Sequence, residues 1–240
     1  MAVFADGPVL GTIGGGRLEW DAVRMAREQL AAGGSAGVRT VRFALGPSLG
    51  QCCGGVVHLR FGCVAAADGG ALAQRLAPAR VPVALFGAGH VGHALARVLA
   101  PLPFALIWID SRDSVFPAEA ERAGAQCEHS DPVHAAVPQL APGSRVLIMS
   151  FSHAEDLDVV GACLARQRRH ADLPFVGLIG SRTKWAAFSH RLQARGFGPE
   201  ELAHVTCPIG LPGIAGKEPE VIAVSVAAQL LATLPAGHAG

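Results

Sequence analysis

Tyrosine is absent from this chain of 240 residues, and aromatic residues as a whole make up only 5% of it. The absence accompanies an Ala-, Gly- and Arg-heavy composition of the kind that GC-rich coding produces. Charge is also scarce, at 16% of residues, and nearly balanced at a formal +1. That balance gives no electrostatic case for nucleic acid or for an anionic membrane surface. No apolar run approaches the roughly 18 residues that span a bilayer. The opening MAVFADGPVLG has neither a basic n-region nor a long apolar h-region, so it does not read as a signal peptide. No C-x-x-C occurs, which argues against a structural zinc site. Six cysteines without an export signal predict reduced thiols in a cytoplasm.

What is present is a large apolar fraction, 50%, ample for a buried core. The densest basic run, Arg166-Gln-Arg-Arg-His170, reads as the solvated end of a helix, where cations suit the dipole. A composition shift at Ala65 to Pro82, rich in Ala, Gly and Pro, reads as a linker with at most a short helix at its centre. It separates an N-terminal domain, residues 1–64, from a longer domain, residues 83–240.

In the first domain Leu18, Ala22, Val23, Ala26 and Leu30 recur at helical spacing, with Gly33-Gly34 as the stop. VRTVRFAL and VVHLRFG alternate apolar and polar residues, as an antiparallel pair with one wet face does. In the second domain the apolar runs VPVALF, FALIWID, RVLIMS and LPFVGLI alternate with helical patterns. Ser152 and Glu155 have capping-box spacing, and Ser181 is placed to cap the next helix. The prediction is an α/β protein, with a Rossmann-like parallel sheet in the C-terminal domain and a smaller N-terminal α+β domain.

Gly87-Ala-Gly89-His90-Val-Gly92 is a G-x-G-x-x-G between a strand and a helix. Its glycines let backbone N–H groups approach a phosphate at the helix N-terminus. Asp110 ends the next strand 18 residues beyond Gly92, close to the ~20 of a ribose-binding acid. It favours a free 2′-hydroxyl, as in NAD, while nearby Arg112 would meet a phosphate instead. His90 lies inside the turn. His153 follows a strand end, where open α/β sheets place ligand contacts. Arg182 and Lys184 follow the next strand end; they either line the same crevice or form helix surface. Gly14, Gly15 and Gly16 precede a helix and could form an anion-binding nest, with Glu19 accepting from a ligand's ring N–H groups or serving the helix dipole.

Cys52 and Cys53, in GPSLGQCCGG, sit on the connection between the two alternating strands. Three readings stand: a strained vicinal disulfide, small buried hydrophobes, or thiolate ligands for a soft metal. Cys63, Cys127 and Cys163 read as packing residues, and Cys207, before Pro208, is left open.

GTIGGGRLE, GPSLGQCCGGVV, LFGAGHVGHALA, IDSRD, SFSHAEDLD, LIGSRTK and CPIGLPGIAGKEPEVIAVSVAAQLL occur in that order. Together they resemble the XdhC/CoxI family over essentially the whole chain. TIGGG-x-x-E and GQCCGG are the most specific of them. The resemblance implies an accessory protein rather than an enzyme. Such a protein binds molybdenum cofactor (molybdopterin), protects it, and delivers the sulfurated form to xanthine dehydrogenase in purine catabolism. It works with a cysteine desulfurase and with cofactor-biosynthesis or modifying enzymes, and it is expected as a homodimer. The site it implies comprises Gly14, Gly15, Gly16, Glu19, Gln51, Cys52, Cys53, Gly87, Gly89, His90, Gly92, Asp110 and His153, with Cys52 or Cys53 facing the metal. Family members carry a further Gly-Ser-x-Pro-Arg-like segment before TIGGG, so the N-terminus reads as short. The closing loop GLPGIAGKEPE is slightly altered. The competing expectations are an NAD-dependent oxidoreductase, with His153 as its proton-transfer group, and a protein whose Rossmann turn holds a nucleotide as regulator or scaffold.

Overall fold

The computed structural model describes residues 1–34, 37–45, 55–76 and 80–234. The chain divides into two units, Met1–Ala77 and Pro78–Gly240.

The first unit holds a short antiparallel pair, β1 (Ala2–Val3) and β2 (Val9–Leu10), the helix α1 (Gly16–Ala31), the strands β3 (Arg39–Leu45) and β4 (Gly55–Phe61), and the short helix α2 (Gly69–Leu76). Leu18 and Ala22 are the buried positions of α1. β3 and β4 pair antiparallel, with Val41 opposite Leu59 and Phe43 opposite Val57. These half-buried residues alternate with exposed Arg42, His58 and Arg60, the one-sided pattern their sequence predicts. Gly33 and Gly34 end α1 with positive φ.

The second unit runs β5 (Val81–Phe86), α3 (His90–Leu99), β6 (Phe104–Asp110), α4 (Ala118–Arg122), β7 (Gln126–His129), a 3₁₀ turn (Val133–Gln139), β8 (Arg145–Ile148), α5 (His153–His170), β9 (Phe175–Leu178), α6 (Arg182–Ala194), α7 (Pro199–Leu202), β10 (Val205–Thr206) and α8 (Pro219–Ala232). Its six strands are all parallel, in the order β10-β9-β8-β5-β6-β7. Numbered by appearance within the sheet, from β5 as first, this is 6-5-4-1-2-3, the dinucleotide-binding arrangement. The chain reverses direction across the sheet between β5 and β8. The crevice at the carboxyl ends of those two strands is therefore where a ligand sits in this class of fold.

Each central strand is apolar on both faces. Ala84, Phe86, Val146, Ile148, Val176 and Leu178 pack with α5, α6 and the 3₁₀ turn. Val83, Leu85, Trp108, Leu147 and Met149 pack with α3, α4 and α8. Burying one such side chain is worth about 1.5–3 kcal/mol, so the two-sided core fixes the strand ends that carry the site. Arg168 pairs with Glu201, and buried Arg166 with Asp172, so the basic run ending α5 is committed within the fold.

A glycine turn and a buried ion pair at the sheet crossover

The turn after β5 is shaped by contacts of its own backbone. Gly87 has φ +114, and a Cβ there would stand 2.0 Å from the Met149 carbonyl oxygen. A Cβ on Gly92 would stand 2.2 Å from the carbonyl oxygen of Gly87. The chain itself requires both glycines. Gly89 differs: it is exposed, and a Cβ there would meet nothing within 4 Å. It is the N-cap of α3 and offers no side-chain cap, so the first N–H groups of that helix face outward without intrahelical partners. Such a helix start is able to receive an anion, assisted by the helix dipole. His90 is exposed at the first position of the helix. The Trp108 indole N–H donates to the Gly87 carbonyl at 2.9 Å and holds the turn from below.

Asp110 is placed where the sequence predicts but is not free to meet a ribose. It is 1% exposed. Its Oδ2 accepts from the Ala88 amide at 2.6 Å and from Arg112 Nη2 at 2.8 Å; its Oδ1 accepts from the Arg112 amide and Nε, both at 2.9 Å. A carboxylate has about four acceptor positions, and all are used. Burial pushes this carboxyl up, yet the Arg112 side chain and the Ala88 and Arg112 amides outweigh burial and hold it below its ordinary value. Asp110 therefore braces the glycine turn.

The same interactions cross above β5. Ser111 Oγ donates to Glu155 at 2.6 Å, and the Arg112 guanidinium lies 4.6 Å from the ring centre of Phe151. Glu155 also accepts from the Phe151 amide at 3.1 Å, while Ser152 caps α5 by accepting from the Glu155 amide. The end of β6 is thus tied to the start of α5 on the side of the crevice where a dinucleotide would lay its adenosine. His153 is exposed, edge-on to Phe188 at 6.4 Å.

On the other side of the crossover lies a buried ion pair. Lys184 Nζ donates to Asp156 Oδ2 at 2.6 Å and to the Ile179 carbonyl at 2.8 Å. Asp156 Oδ1 accepts from the Ser150 amide at 2.7 Å. Ser150 Oγ is buried, with no hydrogen-bond partner among the described residues. Cys207 lies beside this pair: burial raises its thiol, Lys184 lowers it and Asp156 raises it, for a net upward shift. Arg182 is exposed. Of this group the sequence reading singled out Lys184 and left Cys207 open; it missed Ser150 and Asp156. A signal for Asp156 exists, because it falls in phase with Val159, Val160 and Cys163 on the buried stripe of α5, where a charge is out of place.

In the first unit, Gly14, Gly15 and Gly16 all have positive φ, as a nest requires, but the chain fills the nest itself. Glu19 accepts from the Thr12 hydroxyl, the Ile13 amide at 2.9 Å and the Gly15 amide at 3.2 Å. The Gly14 amide donates to Thr12. The Thr12 hydroxyl first, then these amides, hold the Glu19 carboxyl below its ordinary value. This corrects the expectation of an open anion cradle there. Gln51, Cys52 and Cys53 lie outside the described residues. Cys63 is exposed rather than packed, while Cys163 is fully buried and burial pushes its thiol up to about 12. Among the described residues, no cluster of three or more His, Cys, Asp or Glu side chains is arranged to hold a metal ion, and no helix is long and apolar enough to cross a membrane.

The profile of the XdhC Rossmann domain matches residues 83–230, and that of the XdhC and CoxI family matches residues 1–44. The chain belongs to the XdhC/CoxI family. Among curated proteins this family member is 28% identical over 239 residues to the uncharacterized protein YqeB of Escherichia coli K12. The alignment covers 96% of this chain but 39% of YqeB, so the chain spans about two fifths of that relative's length. Among solved structures it resembles one described as a xanthine dehydrogenase (BH1974) from Bacillus halodurans, with a TM-score of 0.63 and 18% identity, over 93% of this chain and 82% of that one. The likeness extends to the fold.

Proposed function

We propose that this chain is a maturation factor for xanthine dehydrogenase that carries molybdenum cofactor, protects it and supports its sulfuration, with the cofactor's terminal phosphate held on the Gly87–Gly92 turn. The observation that carries this reading is the contrast between Gly89 and Asp110. The cradle is open where a phosphate approaches, whereas the acid that a dinucleotide needs is filled by Arg112 and the Ala88 amide. Family membership supports a maturation role, and molybdenum cofactor as the cargo is part of the proposal. The residues fit such a group: outward N–H donors for the phosphate, and a buried hydroxyl without a partner beside them. When bound, the cofactor supplies molybdenum redox chemistry to the recipient enzyme. This chain contributes donors, shape and exclusion of water.

Anaerobic purification after co-expression with the cofactor-biosynthetic enzymes tests the reading, with molybdenum and oxidised pterin assayed in the product. Stoichiometric pterin in the wild type that is lost in Gly89→Val is the expected result; wild-type protein free of pterin would sink it. Cys52→Ala/Cys53→Ala is a separate arm. Loss of molybdenum with pterin retained is expected if a thiolate faces the metal. Retention of both would remove the thiolate and leave the chaperone. Partnership with a cysteine desulfurase and a homodimeric state belong to the same proposal; co-purification and sedimentation test them.

A second reading, a nucleotide such as NAD on the same turn, is favoured by the strand order. It requires Arg112 to leave Asp110. Tight NAD binding by the wild type would support it, and NAD binding too weak to saturate at millimolar ligand would dismiss it.

A further inference from the structure

We propose that Ser150 and Lys184 form a recognition subsite, beside the Gly87–Gly92 turn, for the uncharged lactam edge of a heterocycle carried by a phosphate-bearing ligand. The inference rests on the cofactor reading and adds to it the part of the ligand that the chain reads.

A lysine ammonium has three protons. Two of those on Lys184 are taken by Asp156 and the Ile179 carbonyl. The third meets no oxygen, nitrogen or sulfur acceptor among the described residues; the ammonium lies 5.4 Å from the Phe188 ring centre, and the side chain is 11% exposed. Ser150 Oγ is buried and has no hydrogen-bond partner among the described residues. A buried polar group left without a partner costs a fold about 1–3 kcal/mol, and native proteins rarely keep one without a reason. Replacing a buried ion pair by apolar residues is often neutral or stabilising, so the Lys184–Asp156 pair is itself an invitation to look for a use.

Ser150 and Lys184 meet on one carboxylate. The two oxygens of the Asp156 carboxylate hold the Ser150 amide and the Lys184 ammonium, one each. Ser150 also borders the phosphate turn, since a Cβ placed on Gly87 would stand 3.0 Å from the Ser150 Cα. The proposed ligand spans the cradle and the subsite together.

The charge of the cluster selects the chemistry. Lys184 and Asp156 cancel, and the Cys207 thiol beside them is pushed toward its neutral form, chiefly by burial. A second anion would gain little at a neutral site and would give up its hydration. An uncharged acceptor suits the third ammonium proton. The serine hydroxyl, which both accepts and donates, suits an adjacent N–H. A lactam presents that pair, C=O next to N–H, on one flat edge. An amino-substituted ring of the same outline lacks the carbonyl.

The test compares two probes by calorimetry at neutral pH, where both rings are uncharged: 6-hydroxymethylpterin phosphate, and the 2,4-diaminopteridine phosphate of the same outline. Both carry the phosphate, so the contact with the turn is held constant. The wild type is expected to prefer the lactam by about tenfold or more, the scale of one hydrogen bond to a charged donor. Lys184→Met is expected to abolish or reverse the preference, because the lactam carbonyl loses its donor and the freed Asp156 oxygen accepts from an amino group. Ser150→Ala is expected to reduce the preference in a protein that melts no earlier than the wild type, because the hydroxyl has no partner to lose. That variant carries the test if Lys184→Met leaves Asp156 unpaired and fails to fold. Equal binding of the two probes by the wild type, or a preference that survives in Ser150→Ala and Lys184→Met, overturns the subsite while the cofactor reading stands. Binding of neither probe by the wild type overturns the cofactor reading and this inference with it.

Discussion

Gly87→Ala and Gly89→Ala add the same methyl group two positions apart in one turn, and their consequences diverge. At Gly87 the methyl meets a backbone carbonyl at 2.0 Å on a residue with φ +114. The expected loss is about 3 kcal/mol or more, from positive-φ strain together with overpacking, read from urea unfolding. At Gly89 the methyl meets nothing and φ is −84, so stability is expected to stay within about 1 kcal/mol while phosphate-bearing ligand is lost. Asp110 gives a pH signature. Its carboxyl is held below its ordinary value in the fold, so its contribution is fully present above the unfolded value of about 3.9 and is lost as pH falls through the folded value. Asp110→Asn is expected to flatten the acid limb of the stability profile. An acid limb unchanged by that substitution would contradict the bracing role assigned to the carboxylate.

Elements are anchored at their ends, and these ends divide into those the sequence predicts and those it hides. Ser152 and Ser181 cap α5 and α6 through the Glu155 and Lys184 amides, as their spacing predicts. Ser152→Ala is expected to cost about 1 kcal/mol. The parallel strands are legible because an apolar run with no polar alternation can only be covered on both faces. The anchor of α8 is not legible. Arg145, at the start of β8 and 7% exposed, donates to the Thr233 carbonyl and hydroxyl that end α8 and to the Gly143 carbonyl. Thr233 is 88 residues away in the chain, beyond the reach of any local pattern. Arg145→Met is expected to cost about 2–3 kcal/mol, seen as an earlier thermal midpoint. The same limit explains the site. Asp110 and Arg112 are both visible in IDSRD, but a string of letters does not reveal that the guanidinium folds back on its neighbour. Thr12, the three glycines and Glu19 are visible as well, yet only the backbone shows that Glu19 turns into the nest. Asp156 was discoverable from helical phase alone.

At the scale of the whole molecule, the two units differ in how much core each owns. Among the described residues, the buried hydrophobic ones of the first unit are Leu18 and Ala22, and the rest, from Val81 onward, belong to the second. Unfolding is accordingly expected in two steps, with β3 and β4 exchanging their amide hydrogens at lower denaturant than β5 and β8. A single coincident transition across both sets of amides would show that the units share their stability. The indole of Trp108 has one more consequence. It is bonded to the carbonyl of Gly87, with the His93 ring 5.0 Å away and Phe116 at 5.3 Å. Its emission therefore responds to any rearrangement of the loop above it. With Trp20 and Trp185 replaced by phenylalanine, the molecule carries a single native fluorophore under its ligand cradle, an optical gauge that requires no label.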